Sequence, residues 1–288
     1  MAQESKTHTK TGANIAIIGA GASGCICAYL LQKEGFDVTL FDKGMPLRTL
    51  LPTGGGRCNL AHAEYDFKDL AKNYPRGEKF LYSVFSKFST YDTLALFDEL
   101  GVETYTQEDE RIFPTSNSAK DVREKILNNL KNVQIQKEEV IKIEKIDNGF
   151  KILSTPNYSK NKKMCEYLFS HIVIAIGGHS KFDFLKNFDI KIIPPKPSLV
   201  GLNTKEKSKE VSGIVVRNVN CNRLTDDLLF THFGISGPLA YKISSIKARD
   251  NFPYKLNFDL HPQEINLQEL LNTNPHKDVK NILSKFIP

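Results

Sequence analysis

The hexapeptide Gly19-Ala20-Gly21-Ala22-Ser23-Gly24 constrains this chain more than any other stretch. It is a G-x-G-x-x-G, and its flanks decide what it can be. The apolar run NIAII before it, closed by a glycine, reads as a short buried parallel strand. SGCICAYLLQKEG after it reads as a helix, with Gly35 placed as the C-terminal cap. A second strand, FDVTLFDK, reaches Asp42 eighteen residues after Gly24. Strand, glycine turn, helix and strand form a β-α-β unit, whose crossover is right-handed in a parallel sheet. Gly19 then makes the tight turn, and Gly21 lets the backbone approach a pyrophosphate. Gly24 lets helix and strand pack closely, while Ala20, Ala22 and Ser23 complete a loop whose helix N-terminus attracts phosphate. Asp42, with Lys43 beside it, is placed to accept hydrogen bonds from ribose hydroxyls. Dinucleotide binding follows from this context.

A second glycine run, Thr53 to Leu60 (TGGGRCNL), comes next. Three adjacent glycines are costly to order, so a folded chain keeps them where the backbone turns sharply or approaches something closely. EKFLYSVFSKF and TYDTLALFDELG carry apolar residues three and four apart, as helices do, and Gly101 stops the second. RIFPTSNSAKDVREKILNNL has a turn at Pro114, then a capping box formed by Ser118 and Asp121. From Val133 to Phe169 the pattern alternates, with Asn148-Gly149 as a two-residue hairpin turn. This reads as a small antiparallel meander. A buried strand, Ile172 to Ile176, follows it and ends in Gly177-Gly178. The proline-rich IIPPKPSLVGL marks a boundary, and strand-like sequence resumes beyond it.

Composition excludes several classes. A chain of 288 residues, 40% hydrophobic and 25% charged, can bury a core without staples. Its five scattered cysteines form neither a disulfide framework nor a paired zinc motif, so no metal is expected and a reducing cytoplasm fits. The net charge of +6 comes without a basic stripe interleaved with aromatics, which argues against a nucleic-acid partner. The lysine patch NYSKNKKM reads as a solvated hairpin tip, and residues 1–13 as a disordered polar tail. The uncharged stretch from Ala13 to Gln32 is broken by glycines and changes period midway, unlike a signal peptide or membrane span.

After Asp42 the chain does not simply repeat β-α. A glycine loop, helices, a meander and a second glycine-ended strand intervene, an organisation that resembles the FAD-binding class related to glutathione reductase. In that class the first meander strand, at Val140 here, lies by the adenine. GAGASG, TGGGRCNL, RIFPTSNSAKDV, IVIAIGG and LFTHFGISGP, spread over residues 14–246, resemble more specifically the BaiN/YhiN-like family of NAD(P)/FAD-dependent oxidoreductases. The resemblance implies an α/β fold with a glutathione-reductase-like Rossmann FAD-binding domain over 14–190. A mainly β, inserted substrate domain would cover 191–288.

It further implies FAD as cofactor, NAD(P)H as electron donor and a small-molecule substrate. One member type reduces a conjugated ketone. Gly54, Gly55 and Gly56 would lie against the flavin half of FAD, with Gly177 and Gly178 bringing a second backbone segment to the cofactor. Arg57 would offset phosphate charge or hold reduced flavin, and Asn59 would bond the flavin edge. Cys58 is either a redox thiol or a small buried filler. His232 is either the proton donor or part of the strand and turn before a helix begun by Ser236 and Pro238.

The sequence departs from the family at Thr49, where lysine is usual, and in a shortened segment after IAIGGHS. Family members also return to the FAD domain through a glycine-rich segment of the GE…D…GGYN type, and this sequence stops at NILSKFIP. Three explanations compete for that difference: a fragment of a longer protein, a split enzyme with a second polypeptide as partner supplying the segment, or a degenerate, inactive flavin-binding relative.

Overall fold

A computed structural model describes residues 13–156, 164–178, 182–185, 187–206, 209–260 and 266–283. The chain divides into two units, 1–192 and 193–288. The polar tail over 1–12 and most of the lysine patch, residues 157–163, lie outside the described residues.

The first unit begins with β1 (Asn14–Ile18), α1 (Ala22–Lys33) and β2 (Asp37–Phe41). Short β3 (Ala61–His62) leads into three helices, α2 (Phe67–Lys72), α3 (Glu78–Phe85) and α4 (Thr90–Glu99). Then come β4 (Thr104–Thr106), β5 (Arg111–Pro114), α5 (Ala119–Asn128) and β6 (Gln134–Gln136). The meander is β7 (Glu138–Ile146), β8 (Gly149–Pro156) and β9 (Cys165–Phe169), and β10 (His171–Ile174) closes the series.

β10, β1, β2 and β6 stand in that order in one parallel sheet. α1 and α5 cover one face with an apolar core that includes Ile17, Val38, Leu40, Val122 and Ile126. The meander covers the other face, where Ile18 and Phe41 meet Ile143, Ile152 and Phe169. Burial of both faces explains the continuous apolar runs of β1 and β2.

Four details differ from the sequence reading. Residues 134–136 do not open the meander. They pair in parallel with β2, as Thr39↔Gln134 to Phe41↔Gln136, and two of the three are glutamines, in keeping with an edge strand. The hairpin turn lies one residue earlier than expected, on Asp147 and Asn148, because Ile146 pairs directly with Gly149. Gly149 is needed in the strand instead: at φ +143, a Cβ there would meet the Phe169 carbonyl oxygen at 2.2 Å. The expected buried strand 172–176 is β10, which stops at Ile174 and is only half-buried as the outer strand of the sheet. The capping box of α5 is also half-formed: Ser118 accepts from the Asp121 N–H at 3.3 Å, while the Asp121 carboxylate pairs with Lys125.

The second unit holds β11 (Leu202–Asn203), β12 (Val215–Cys221), β13 (Leu224–Thr231), β14 (Gly234–Ser236), α6 (Gly237–Ile246), α7 (Leu267–Thr273) and α8 (Val279–Leu283). The strands form an antiparallel sheet in the order β11-β14-β13-β12. α6 packs on it through Leu239, Ala240 and Ile243, against Val216, Val219 and Leu228.

Candidate cofactor site

The loop between β1 and α1 is held from three sides. The Gly19 N–H donates to the Phe41 carbonyl at 2.8 Å, and the Leu47 N–H donates to the Ala20 carbonyl at 2.8 Å. Asp42 supplies the third tie. One carboxylate oxygen accepts from the Ala20 N–H at 2.7 Å and the other from the Gly44 N–H at 2.7 Å. Asp42, expected only as an acceptor for ribose hydroxyls, thus also clamps the loop. Each oxygen keeps a further lone pair for a ribose hydroxyl.

The three fingerprint glycines do different work. Gly19 sits at φ +107, and a Cβ there would meet the Ala175 carbonyl oxygen at 2.4 Å. The glycine loop therefore packs on the chain just beyond β10, which brings Gly19 and the segment leading to Gly177 and Gly178 together. A Cβ on Gly24 would lie 1.9 Å from the Gly19 carbonyl oxygen, so this glycine permits the helix to touch the loop. Gly21 has ordinary backbone angles, φ −74 and ψ −173, and a Cβ there would meet nothing within 4 Å. It is the N-cap of α1, whose first turn has neither a capping side chain nor an acidic residue. Unpaired amides and an uncompensated positive helix end next to an open space the size of a missing side chain fit a pyrophosphate. The residues present therefore fit FAD at its phosphates.

The second glycine run is explained by its backbone. Gly54, Gly55 and Gly56 have φ of +57, +68 and +86, three successive left-handed residues that side chains resist. Gly54 is also crowded, since a Cβ would come within 2.8 Å of Phe113 and 2.7 Å of the Asn59 nitrogen. Around Gly55 a Cβ would meet nothing within 4 Å. Arg57 folds back over the run: its Nε donates to the Gly54 carbonyl at 3.3 Å, and its guanidinium lies 4.2 Å from the Phe113 ring centroid. Asn59 is exposed. Cys58 is buried, and burial raises its thiol above the ordinary value, opposed by a hydrogen bond with Thr53. That environment suits a packed filler and disfavours a thiolate. Cys25, also in this core, is pushed up to about 12 by burial and by the charge of Asp42. None of the five cysteines is in a disulfide.

Lys43 is exposed and pairs with Glu139 at 3.0 Å. Val140 lies on β7, half-buried against the core that contains Ile18 and Phe41, and a bulge between Val140 and Lys142 interrupts the pairing of β7 with β8. His232 belongs to the second unit, where it is exposed in the two-residue turn between β13 and β14 with its ring edge-on to Phe233.

Sequence reasoning missed the supports. Leu47 is fully buried at φ +58, and Arg123 on α5 donates from Nε to the Pro46 carbonyl at 2.9 Å, fixing the bend that feeds the Ala20 tie. Phe113 is fully buried beneath Arg57, with Arg111 at 5.6 Å. Its motif, RIFPTSNSAKDV, was the available signal. Among the described residues there is no cluster of three or more metal-ligating side chains, and no helix is long and apolar enough to cross a membrane.

A parallel sheet with a glycine loop on a helix N-terminus, a clamped Asp42 and a meander on one face define a Rossmann-type dinucleotide-binding fold of the FAD-binding kind. Residues 13–225 match the HI0933-like protein Rossmann domain, and residues 196–288 match the HI0933-like protein barrel and H2TH domain. The chain belongs to the HI0933-like family, the BaiN/YhiN-like flavoproteins its motifs resemble. It is 29% identical to a Haemophilus influenzae protein named ribosomal RNA dihydrouridine synthase, over 94% of this chain and 71% of that one. A protein of the same name from Escherichia coli is 28% identical, over 94% and 70%. Among solved structures, Escherichia coli quinol fumarate reductase FrdA aligns with 58% of this chain and 33% of its own, at 16% identity and a TM-score of 0.45.

Proposed function

We propose that this chain is an FAD-dependent reductase that saturates a carbon–carbon double bond conjugated to a carbonyl, and that its substrate is a uracil base in ribosomal RNA. The observation that carries the flavin half of this reading is the open, uncompensated N-terminus of α1 at Gly21. The substrate half is supported by the two relatives named for dihydrouridine synthesis, which align with 94% of this chain. The C5=C6 bond of uracil is conjugated to the C4 carbonyl, the kind of bond the family resemblance implies. The reading departs from the small free substrate expected from the sequence for that reason.

When bound, FAD supplies hydride to one carbon of the bond, with NADH or NADPH as the two-electron source and a proton completing the other carbon. In this reading Gly19 to Gly24 hold the pyrophosphate. Asp42 and Lys43 border the adenosine ribose, and Val140 the adenine. Gly54 to Asn59, Gly177 and Gly178 border the flavin. The first unit is the FAD domain and the second the substrate domain. The test is a visible absorption spectrum of the purified chain, then oxidation of NADPH or NADH with a ribosomal RNA transcript, followed by nucleoside mass analysis. Bound flavin and a gain of two hydrogens on uridine are expected. A chain that takes up no FAD refutes the cofactor site, and a flavoprotein that leaves uridine unchanged refutes the substrate.

A second reading is a flavin-binding chain completed by another polypeptide. The half-buried outer strand β10, with Ile172, Val173 and Ile174, favours it, because an incoming strand would cover that edge. FAD uptake that appears only on adding the partner would select it.

A further inference from the structure

α3 presents a face that the cofactor site does not use. Phe80, Val84 and Phe88 recur every four residues and are 74%, 41% and 41% exposed. They share one side of α3 and of the turn that continues it, where the Phe88 N–H bonds the Val84 carbonyl at 3.0 Å. No residue of α3 is fully buried. The opposite side attaches the helix, with the Tyr82 ring edge-on to Phe67 at 6.3 Å and Phe85 against Tyr74 at 5.6 Å. Three residues beyond Phe88, Tyr91 packs tilted against Tyr65, with ring centroids 4.5 Å apart, and both residues are exposed.

Two properties of this surface narrow its occupant. Between residues 65 and 91 all the exposed large apolar residues except Val84 are aromatic, offering flat rings. Lysines and one arginine outnumber acids five to two between 67 and 88, and Lys79 and Lys87 adjoin Phe80 and Phe88 in sequence. The two acids are engaged locally: Asp69 pairs with Lys72, and Glu78 accepts from the Tyr82 hydroxyl. Exposed rings beside Lys79 and Lys87, with both acids of this stretch engaged locally, match single-stranded nucleic acid, whose bases stack and whose phosphates seek charge. An eight-residue helix with so few aliphatic side chains is poorly suited to a lipid interface.

We propose that the outer face of α3, continued by Tyr91, binds single-stranded RNA, with bases stacked on Phe80, Phe88 and Tyr91 and phosphates met by Lys79 and Lys87. The proposal rests on the RNA reading above and adds where the RNA is gripped.

The test uses the full chain loaded with FAD and a fluorescein-labelled oligouridylate, with binding followed by anisotropy across a salt series. The double variant Phe80→Ala/Tyr91→Ala should weaken binding by at least about tenfold, given the usual worth of one base–ring stack. Lys79→Ala/Lys87→Ala should weaken it and flatten the salt dependence by roughly 1.4 in logarithmic slope, two phosphate contacts at single-strand values. These residues are exposed, so flavin absorption and denaturation midpoint should match wild type. Wild-type binding that both variants retain in full overturns the surface and leaves the RNA reading intact. A wild-type chain that binds neither oligouridylate nor a ribosomal RNA transcript overturns the RNA reading and the proposal with it. Variants that lose binding to anionic phospholipid vesicles while holding RNA normally overturn the proposal in favour of a membrane.

Discussion

Replacing Gly21 and Gly24 separately by alanine should break two different things. At Gly24 the new methyl group would lie 1.9 Å from the Gly19 carbonyl oxygen, about 1.5 Å inside ordinary van der Waals contact. Neither partner is a flexible side chain, so β1 and α1 must separate. Overpacking of a close-packed interior costs about 1–3 kcal/mol, and a backbone–backbone clash belongs at the upper end, near 3 kcal/mol. At Gly21 the methyl group meets nothing within 4 Å, and φ −74 is comfortable for alanine. Alanine is a poorer N-cap than glycine but restricts the unfolded chain, and these opposing terms leave stability within about 1 kcal/mol of wild type. The pyrophosphate, however, would have to share its space with that methyl group, and FAD affinity should fall at least tenfold, about 1.4 kcal/mol. Guanidinium denaturation of flavin-stripped protein and FAD titration by fluorescence measure the two quantities independently. Gly24→Ala protein as stable as wild type, or Gly21→Ala protein that binds FAD unimpaired, would refute the division of labour derived for this loop.

The second glycine run gives a parallel pair. Gly54→Ala should cost roughly 2–4 kcal/mol of stability, from left-handed strain plus crowding on Phe113, and Gly55→Ala only about 1 kcal/mol, from strain alone; equal denaturation midpoints for the two would contradict this. Cys58→Ala should keep flavin reduction by NADPH within about twofold of wild type, since the thiol is buried and its ionisation is disfavoured; a block in stopped-flow reduction would restore the redox-thiol reading. For Cys25 the folded thiol is raised to about 12 from the ordinary value of 9.0, so above that lower value the unfolded chain loses its proton first. Stability should therefore be unaffected below pH 9 and fall between pH 9 and 12, less steeply in Cys25→Ala; identical slopes for the two proteins would count against the assignment. His232→Gln should keep full turnover, because the ring sits exposed on a tight turn between two strands; loss of turnover with folding intact would make it the proton donor.

Much of the first unit is legible in the sequence because its signals are local. The change from a compact apolar run to a helical period at Gly19–Gly24, and Asp42 at the end of the next strand, define β1, α1 and β2 without knowledge of anything distant. What could not be read depends on partners far along the chain. β6 is only Gln134 to Gln136, too short and too polar to announce that it joins β2, so it merged with the alternating meander that follows. The role of Asp42 as a clamp on Ala20 and Gly44 is a matter of where a loop folds back, which no spacing rule encodes. α3 is instructive in another way. Its apolar period was plain, but periodicity shows which residues share a face and says nothing of what lies opposite, and here the Phe80–Val84–Phe88 face meets water. For the same reason the interleaved rings and cations escaped a search for a basic stripe, being assembled from two helices and the turns between them.

The two hydrogen bonds accepted by Asp42 also set the timing of cofactor assembly. Both are formed within the protein, from Ala20 and Gly44, so the phosphate loop is tied in place by the fold itself and has less conformational freedom to lose when a dinucleotide arrives. Reconstitution of stripped protein with FAD should accordingly run as a single second-order phase, its rate proportional to FAD concentration, with no slower unimolecular step for ordering of the loop.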